Sequence, residues 1–418
     1  MLFRLAWRSL WRHRRRTVLT VFAISMGLAL AIFFISLEEG AYDQVIADAV
    51  RIEAGHIVVE HPEYLDAPSH ELTVRPTVYE RLDGWLGPHR DVVVVRPVVL
   101  TQGLATTAHG TKGVALYGVD PEREKQARSP LARPENLVAG EYFQRSDEPR
   151  ALVGAELAEE LELDVGRRLN LTASNVAGET QQLRFEIAGI FASGSSEIDG
   201  HIVQIPIKTA RELLGLRDGE THRVGMILTG IDAIDTVLAE SERALTGVDA
   251  EVATRTWQEV MPELWAFMQV DAGGTWIMQA IVIGLLLFII FNTLYMSVME
   301  REREFAVLYA LGTPRRRLLK QVIAESMWVG LLSVSIGVAL GYGVSEYFRA
   351  VGFDFSVLFG EDITISGFFF DPMVYPNARP YTLIALGGGV FLATLVMGLL
   401  PARRATNVNI ADTLRSAA

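Results

Sequence analysis

The chain has 418 residues, is 50% hydrophobic and 21% charged, contains no cysteine and carries a formal net charge of -12. Without cysteine there is no disulfide framework, thiolate metal site or cysteine nucleophile. The apolar residues gather into four runs long enough to cross a bilayer, which excludes a purely soluble protein, and the roughly 235 mixed and polar residues between the first two runs exclude an all-membrane bundle.

In chain order, residues 1–16 read as an amphipathic helix lying in the membrane interface. Arg4, Arg8, Arg12 and Arg16 recur every four residues, with Phe3, Trp7, Leu10 and Trp11 on the other side. The first span is 17–37. It is longer than the roughly 7–15 apolar residues of a signal-peptide core, so an uncleaved anchor is expected. Residues 38–274 form a large mixed α/β domain carried on two stalks, Glu38–Ile52 and Trp257–Gly274. Strands are expected at His56–Glu60, Val92–Leu100, Gly113–Val119, Arg168–Ala173, Leu183–Phe191, His201–Ile205 and Val224–Thr229, because these runs are short, β-branched and bounded by turn residues. Helices are expected at Val78–Leu86, Glu156–Leu163, Thr209–Leu214 and Ala233–Leu245, with a division into two subdomains near Gly110–Arg150. The second span is 275–298, followed by a short loop, 299–317. The third span is 318–341 and the fourth 381–400. Between them, 342–380 is an aromatic loop containing Tyr347, Phe348, Phe353, Phe355, Phe359, Phe368, Phe369, Phe370 and Tyr375. The tail is 401–418. The fold class is therefore a four-helix membrane protein with a large mixed α/β extracytoplasmic domain.

Charge fixes the expected orientation. Residues 1–17 hold six arginines and no acid, 299–320 are net +3 and 401–418 net +2, whereas 38–272 are net -19 and 342–380 net -3. Short basic segments stay inside. Both termini and the 299–317 loop are expected in the cytoplasm, with the α/β domain and the 342–380 loop outside.

Signatures of catalysis do not emerge. Gly110-Thr111-Lys112-Gly113 lacks the spacing of a phosphate loop and reads as a turn between strands. His56 and His61 are five apart, on opposite faces of a strand, and read as ordinary polar residues. Gly194-Ser195-Ser196 is not expected to be a nucleophile elbow, because no helix is expected after it. The basic residues sit at membrane edges, not on a soluble face, so nucleic acid is not an expected partner. Two polar residues stand out in the spans. Asn292 is read as buried in the second span. Glu325 in the third has the neutral Gln321 one turn before it, and it either serves structure and assembly, reaching Arg315–Arg317 or another subunit, or belongs to a proton relay. Gly387-Gly388-Gly389 permits close helix packing.

From Asn292 through Ser297-Val298 to Arg301-Glu302-Arg303-Glu304-Phe305 and Ala310-Leu311-Gly312, the sequence resembles the signature of FtsX-like, MacB-type ABC transporter permeases. Thr313-Pro314-Arg315, Glu325-Ser326, the C-terminal Pro401-Ala402-Arg403-Arg404-Ala405 with Asp412–Arg415, and Leu10–Thr20 at the N-terminus are similar to further family motifs. So is Leu152–Ala158 with Leu163–Gly166 in the α/β domain. The sequence departs from the family where Phe305-Ala306-Val307 replaces a common Ile-Gly-Ile/Val. The long 342–380 loop, the stretch Ile190–Ile207 and the expectation that no ATPase is fused to the chain lean toward the lipoprotein-releasing branch.

The resemblance implies a cytoplasmic coupling helix that docks an ATPase through Arg301, Glu302, Arg303, Glu304, Phe305, Val307, Leu308, Leu311 and Gly312. A charged start followed by Phe305, Val307, Leu308 and Leu311 also gives an apolar face that needs a partner. It implies a non-catalytic permease subunit of the bacterial inner membrane. The expected partners are a separate ATPase dimer that binds ATP and Mg, a second permease subunit forming a homo- or heterodimer, and the lipid bilayer, with no cofactor in this chain. Phe33, Phe34, Leu37, Trp276 and Ile277 are the expected lipid or substrate contacts. Lipoprotein release to a periplasmic carrier is the first functional expectation. Drug or peptide efflux through a tripartite pump, and regulation of a cell-wall hydrolase, are the alternatives.

Overall fold

The computed structural model describes residues 2–12, 14–53, 55–248, 251–301, 304, 307, 311–355 and 373–406. They fall into two compact units, a helical one (residues 2–42, 269–355 and 373–406) and a mixed α/β one (43–268).

Among the described residues four helices are long and apolar enough to cross a membrane. They lie within Arg14–Ile52, Pro262–Met299, Arg315–Val351 and Pro380–Thr406. In the helical unit each turns one stripe inward. Ile24, Leu28 and Ile32 of the first meet Leu286, Ile290 and Leu294 of the second, Val329 of the third and Val390 of the fourth. The four-residue spacing keeps each stripe on one side of its helix. The third helix approaches the first through small residues. A Cβ added to Gly337 would lie 2.9 Å from the Ser25 carbonyl oxygen, and one added to Gly341 would lie 2.9 Å from Ile32. The Ser25 hydroxyl donates to the Ser333 carbonyl at 3.0 Å across the same seam. Small residues substitute for hydrophobic driving force where lipid is as apolar as the side chains. Of the glycine triplet in the fourth helix, Gly387 packs on Val334 and Val338, whereas Gly388 and Gly389 meet nothing within 4 Å.

Three expectations change in this unit. The third helix does not stop near Gly341. No proline intervenes before Gly352, whose φ of 84° ends it, so Tyr347 and Phe348 are helical and belong to no loop. Beyond them Phe353–Asp354 pairs with Met373–Val374, while Phe359, Phe368, Phe369 and Phe370 lie outside the described residues. At the N-terminus the helix Leu2–Arg12 exposes Arg4, Arg8 and Arg12. Trp7 packs edge-on against Trp328 of the third helix, 5.0 Å between ring centroids, so protein holds one side of that half-buried ring.

The α/β unit is a ten-stranded sheet. Its strands are β1 (Ile57–Glu60), β2 (Val92–Thr106), β3 (Thr111–Val119), β4 (Leu137–Gly140), β5 (Arg150–Gly154), β6 (Arg168–Ser174), β7 (Thr180–Phe191), β8 (Ile202–Pro206), β9 (Arg223–Leu228) and β10 (Ala253–Thr256). Pairings β2–β3–β8–β5–β7–β6 return to β2, so six strands close on themselves. Closure removes free edges. The interior takes the alternate residues Leu169, Leu171 and Ala173 of β6, together with Phe185, Ile187, Val203 and Ile205. The long β2 serves both parts of the sheet. Its first half pairs with β9 and its second with β3 and β6. This overturns the expected division near Gly110–Arg150, because β3 is hydrogen-bonded to β8 from the far side of that segment.

Two buried histidines brace β9 and its neighbours. The amide of Leu228 donates to His56 Nδ1 at 3.2 Å and that of Leu100 to His222 Nδ1 at 3.0 Å. Burial holds each imidazole at a pKa of about 4, below the ordinary 6.5. The unfolded chain therefore binds protons first. The stabilisation is complete above pH 6.5 and is lost as pH falls toward about 4, at a cost of roughly 3 kcal/mol per histidine. Hydrogen exchange of Arg223–Leu228, corrected for intrinsic pH dependence, is expected to show lower protection at pH 4.5 than at pH 7. Equal protection at both would contradict it.

Candidate functional site

Residues 300–314 connect the second and third long helices, and charges gather there around Arg301 and Glu304. The backbone leaves the second helix with the Arg301 amide bonded to the Val298 carbonyl at 3.1 Å. Glu304 and Val307 are helical, and the Leu311 amide reaches the Val307 carbonyl at 3.0 Å. Gly312, with φ of 90°, turns the chain where a side chain would be strained. Pro314 then caps the third helix, a position that its fixed φ suits.

This geometry carries Arg301 back onto the third helix. Its Nη1 lies 2.6 Å from Glu325 Oε2, and the two side chains are 12% and 11% exposed. Gln321 Nε2 is 3.5 Å from the other Glu325 oxygen. Arg301 Nε also donates to Glu304 at 3.1 Å, and Glu304 in turn faces Arg12 of the N-terminal helix at 3.5 Å. For Glu325, Arg301 is a partner that the expected reach toward Arg315–Arg317 or another subunit did not include. Arg301 is 24 residues earlier in the sequence, beyond the reach of any argument from helical spacing. A buried pair of this kind fixes geometry more than it adds stability, since desolvation offsets much of the attraction.

Val307 and Leu311 present apolar side chains to the surface, 48% and 78% exposed. Glu302, Arg303, Phe305 and Leu308 lie outside the described residues. Asn292 is exposed, not buried as expected. The second helix is apolar on nearly every side, so its pattern does not reveal which stripe turns inward. Trp276 and Ile277 are likewise exposed, 73% and 67%.

Among the expected lipid or substrate contacts, Phe34 is exposed and Leu37 is buried. The segment 373–377 covers this end of the first helix. The Asn377 amide donates to the Ser36 carbonyl at 2.7 Å, and the Tyr375 carbonyl oxygen lies where a Cβ on Gly40 would sit. Phe33 is half-buried against Phe348 and Phe353, at 5.4 and 5.9 Å between centroids. Just beyond, the Tyr42 hydroxyl donates to Asp271 at 2.5 Å, joining the first and second helices. Glu39 accepts from Thr382 of the fourth at 2.7 Å.

In the α/β unit the structure corrects one reason given above. A helix, Ser196–His201, does follow Gly194-Ser195-Ser196. Ser193 and Glu197 stand where the elbow motif needs glycines. Asp199 instead accepts the Ser193 amide at 2.8 Å and closes the turn. His61 faces Glu251 at 3.3 Å.

Residues 276–410 match the family profile "FtsX-like permease C-terminal", and residues 17–254 match "MacB-like periplasmic core domain". The chain is similar to the "Lipoprotein-releasing system transmembrane protein LolC" of Neisseria meningitidis serogroup B, 24% identical over 96% of this chain and 94% of that protein. It is similar at 23% identity to the "Pyoverdine export ATP-binding/permease protein PvdT" of Pseudomonas putida, over 98% of this chain and 59% of that protein. It is similar at 23% identity to the "Macrolide export ATP-binding/permease protein MacB" of Hyphomonas neptunium, over 99% of this chain and 60% of that protein.

Proposed function

Since the chain belongs to the FtsX-like, MacB-type family of ABC transporter permeases, we propose that it is a mechanical transmission subunit, driven by a cytoplasmic ATPase and acting on a lipoprotein at the opposite membrane face. The observation that carries this reading is the 300–314 loop, where exposed Val307 and Leu311 stand beside a charge cluster tied to the third helix. Two apolar side chains in a charged loop favour a protein partner that covers them. A push on the loop is delivered through Arg301 to Glu325, and so to the third helix. The basic charge of the short segments favours a cytoplasmic position for this loop and both termini, with the α/β unit outside.

A second permease subunit completes the assembly. Asn292 is exposed in the strongly apolar second span, and an amide facing hydrocarbon gains by finding a partner on another helix. ATP and Mg are bound by the ATPase, and this chain contributes the docking loop and the moving domain. The lipoprotein reading draws on similarity to LolC, aligned over nearly all of both chains. An exporter reading draws on the PvdT and MacB relatives at comparable identity.

One reconstitution tests both levels. The chain, its ATPase and a fluorescent acylated protein are placed in proteoliposomes with a soluble carrier outside. ATP is expected to move the acylated protein onto the carrier. Leu311→Glu, which charges the docking face, is expected to cut ATPase co-purification about tenfold or more, as loss of roughly 1.4 kcal/mol of binding requires. Undiminished co-purification would sink the docking loop. No transfer by an intact, ATP-hydrolysing complex would turn the substrate reading to export.

A further inference from the structure

A cleft of about 840 Å³ in the α/β unit is not used by the coupling scheme. Arg51, Lys125, Arg128 and Arg133 line it, with Ser129 and Tyr142. Arg96, 1% exposed, reaches Glu124 of the cleft wall at 2.5 Å. Asp48 takes Arg133 at 2.6 Å and Arg51 at 3.8 Å. Three guanidiniums, those of Arg51, Arg96 and Arg133, thus share two carboxylates, Asp48 and Glu124, and Arg128 adds a further cation to the lining. The other acids of the lining, Glu135 and Glu141, are exposed, and Glu141 faces Arg150 at 3.4 Å. Burial holds the Arg51 guanidinium below its ordinary pKa. Asp48 opposes that shift, and Arg133, Arg128 and Arg96 add to it.

The second observation is independent of charge. Ser129 is 0% exposed and lines the cleft, yet its Oγ has no hydrogen-bond partner among the described residues. A buried hydroxyl left unpaired is costly, at roughly 1–3 kcal/mol. A group that satisfies it and also balances the surplus of arginine resolves both features together.

We propose that this cleft is a binding site for a phosphate group, held by the guanidiniums of Arg51, Arg128 and Arg133 and by the Ser129 hydroxyl. The planar fork of arginine matches two oxygens of an oxyanion at once and is weakly hydrated, which lowers the cost of enclosing it. A tetrahedral phosphate presents enough oxygens for three guanidiniums and a hydroxyl, more than the two of a carboxylate. Such a group comes either as a free phosphate or as the headgroup of a phospholipid. The site does not depend on which cargo the protein moves.

The test uses the full chain in neutral detergent and reads affinity by calorimetry at fixed ionic strength. One arm titrates inorganic phosphate against a chloride blank. The other titrates a short-chain phosphatidylglycerol against the corresponding diacylglycerol. Arg128→Asn removes a guanidinium at a position whose φ of 52° asparagine tolerates. Ser129→Ala removes only the unpaired hydroxyl, so the unliganded protein is expected to melt as wild type or higher. Each variant is expected to weaken binding about tenfold or more, because hydrogen bonds to charged groups contribute roughly 1.5–3 kcal/mol. Weakening in the phosphate arm assigns a free phosphate, and weakening in the lipid arm alone assigns a headgroup. Saturable binding in neither arm, or equal affinity in wild type and both variants, overturns the site. Loss in Arg128→Asn alone, with Ser129→Ala binding as wild type, shows diffuse attraction without a built site and overturns it equally.

Discussion

Glu325→Ala is expected to uncouple the protein, with ATPase still bound but ATP-driven cargo movement reduced at least about tenfold. The argument rests on what is left behind. Arg301 loses the carboxylate that its Nη1 meets at 2.6 Å. Glu304 also meets Arg301 but is itself shared with Arg12. Breaking a buried pair from one side costs about 3–5 kcal/mol, and the loop relieves that cost by leaving the third helix. Docking through Val307 and Leu311 is expected to survive, because those side chains are exposed whereas the pair is largely buried. ATPase co-purification therefore separates this variant from Leu311→Glu. Charge reversal, Arg301→Glu with Glu325→Arg, re-forms the contact and is expected to regain part of the lost transport, while each single reversal regains none. Full transport by Glu325→Ala would remove Arg301–Glu325 from the coupling path. Loss of co-purification in the same variant would show that the pair shapes the docking face itself.

The sequence revealed the parts whose physics is local. Four apolar runs, the β-branched strands and the Arg301–Gly312 signature can each be read from a window of about 20 residues. Residues whose meaning depends on distant partners could not be read that way. Glu325 looked short of a cation because its neighbours on the helix are neutral. Asn292 looked buried because a helix apolar on all sides gives no phase. Leu37 looked exposed because nothing in its own helix announces that it is buried. β10, Ala253–Thr256, has no alternation to detect, since all four residues are half-buried. One miss carried a signal. Asp120-Pro121-Glu122 spells a helix start, an N-cap acid followed by proline, and Asp120 does accept the amides of Glu122 and Arg123. The helix it opens, Pro121–Ala127, is seven residues long, too short for periodicity to show. It brings Glu124 to Arg96 and places Arg128 and Ser129 at the cleft, so overlooking that cap hid the whole basic site. The small-residue seam Ser333, Gly337 and Gly341 was equally legible, at four-residue spacing, once close packing and not hydrophobicity is the property sought.

The largest loss of stability in the α/β unit is expected from Glu124→Ala. Arg96 and Glu124 are each 1% exposed and 2.5 Å apart. Arg96 Nη2 also donates to the carbonyls of Arg51 at 2.6 Å and Val50 at 3.3 Å, closing the last turn of the first long helix, where carbonyls lack intrahelical donors. Removing Glu124 leaves a cation that cannot neutralise itself, at a cost of about 3–5 kcal/mol. Arg96→Met keeps much of the arginine stem's apolar volume in the site, so it is expected to cost less than Glu124→Ala. The double variant Arg96→Met with Glu124→Leu replaces the pair by apolar volume. It is expected to recover most of the loss but not all, because the Val50 and Arg51 carbonyls remain without their donor, worth roughly 1 kcal/mol for each hydrogen bond. Thermal melts of the detergent-purified chain give the order directly: wild type, then the double variant, then Arg96→Met, then Glu124→Ala. A double variant no more stable than Glu124→Ala would mean that the helix-end hydrogen bonds, and not the ion pair, are what the buried arginine supplies.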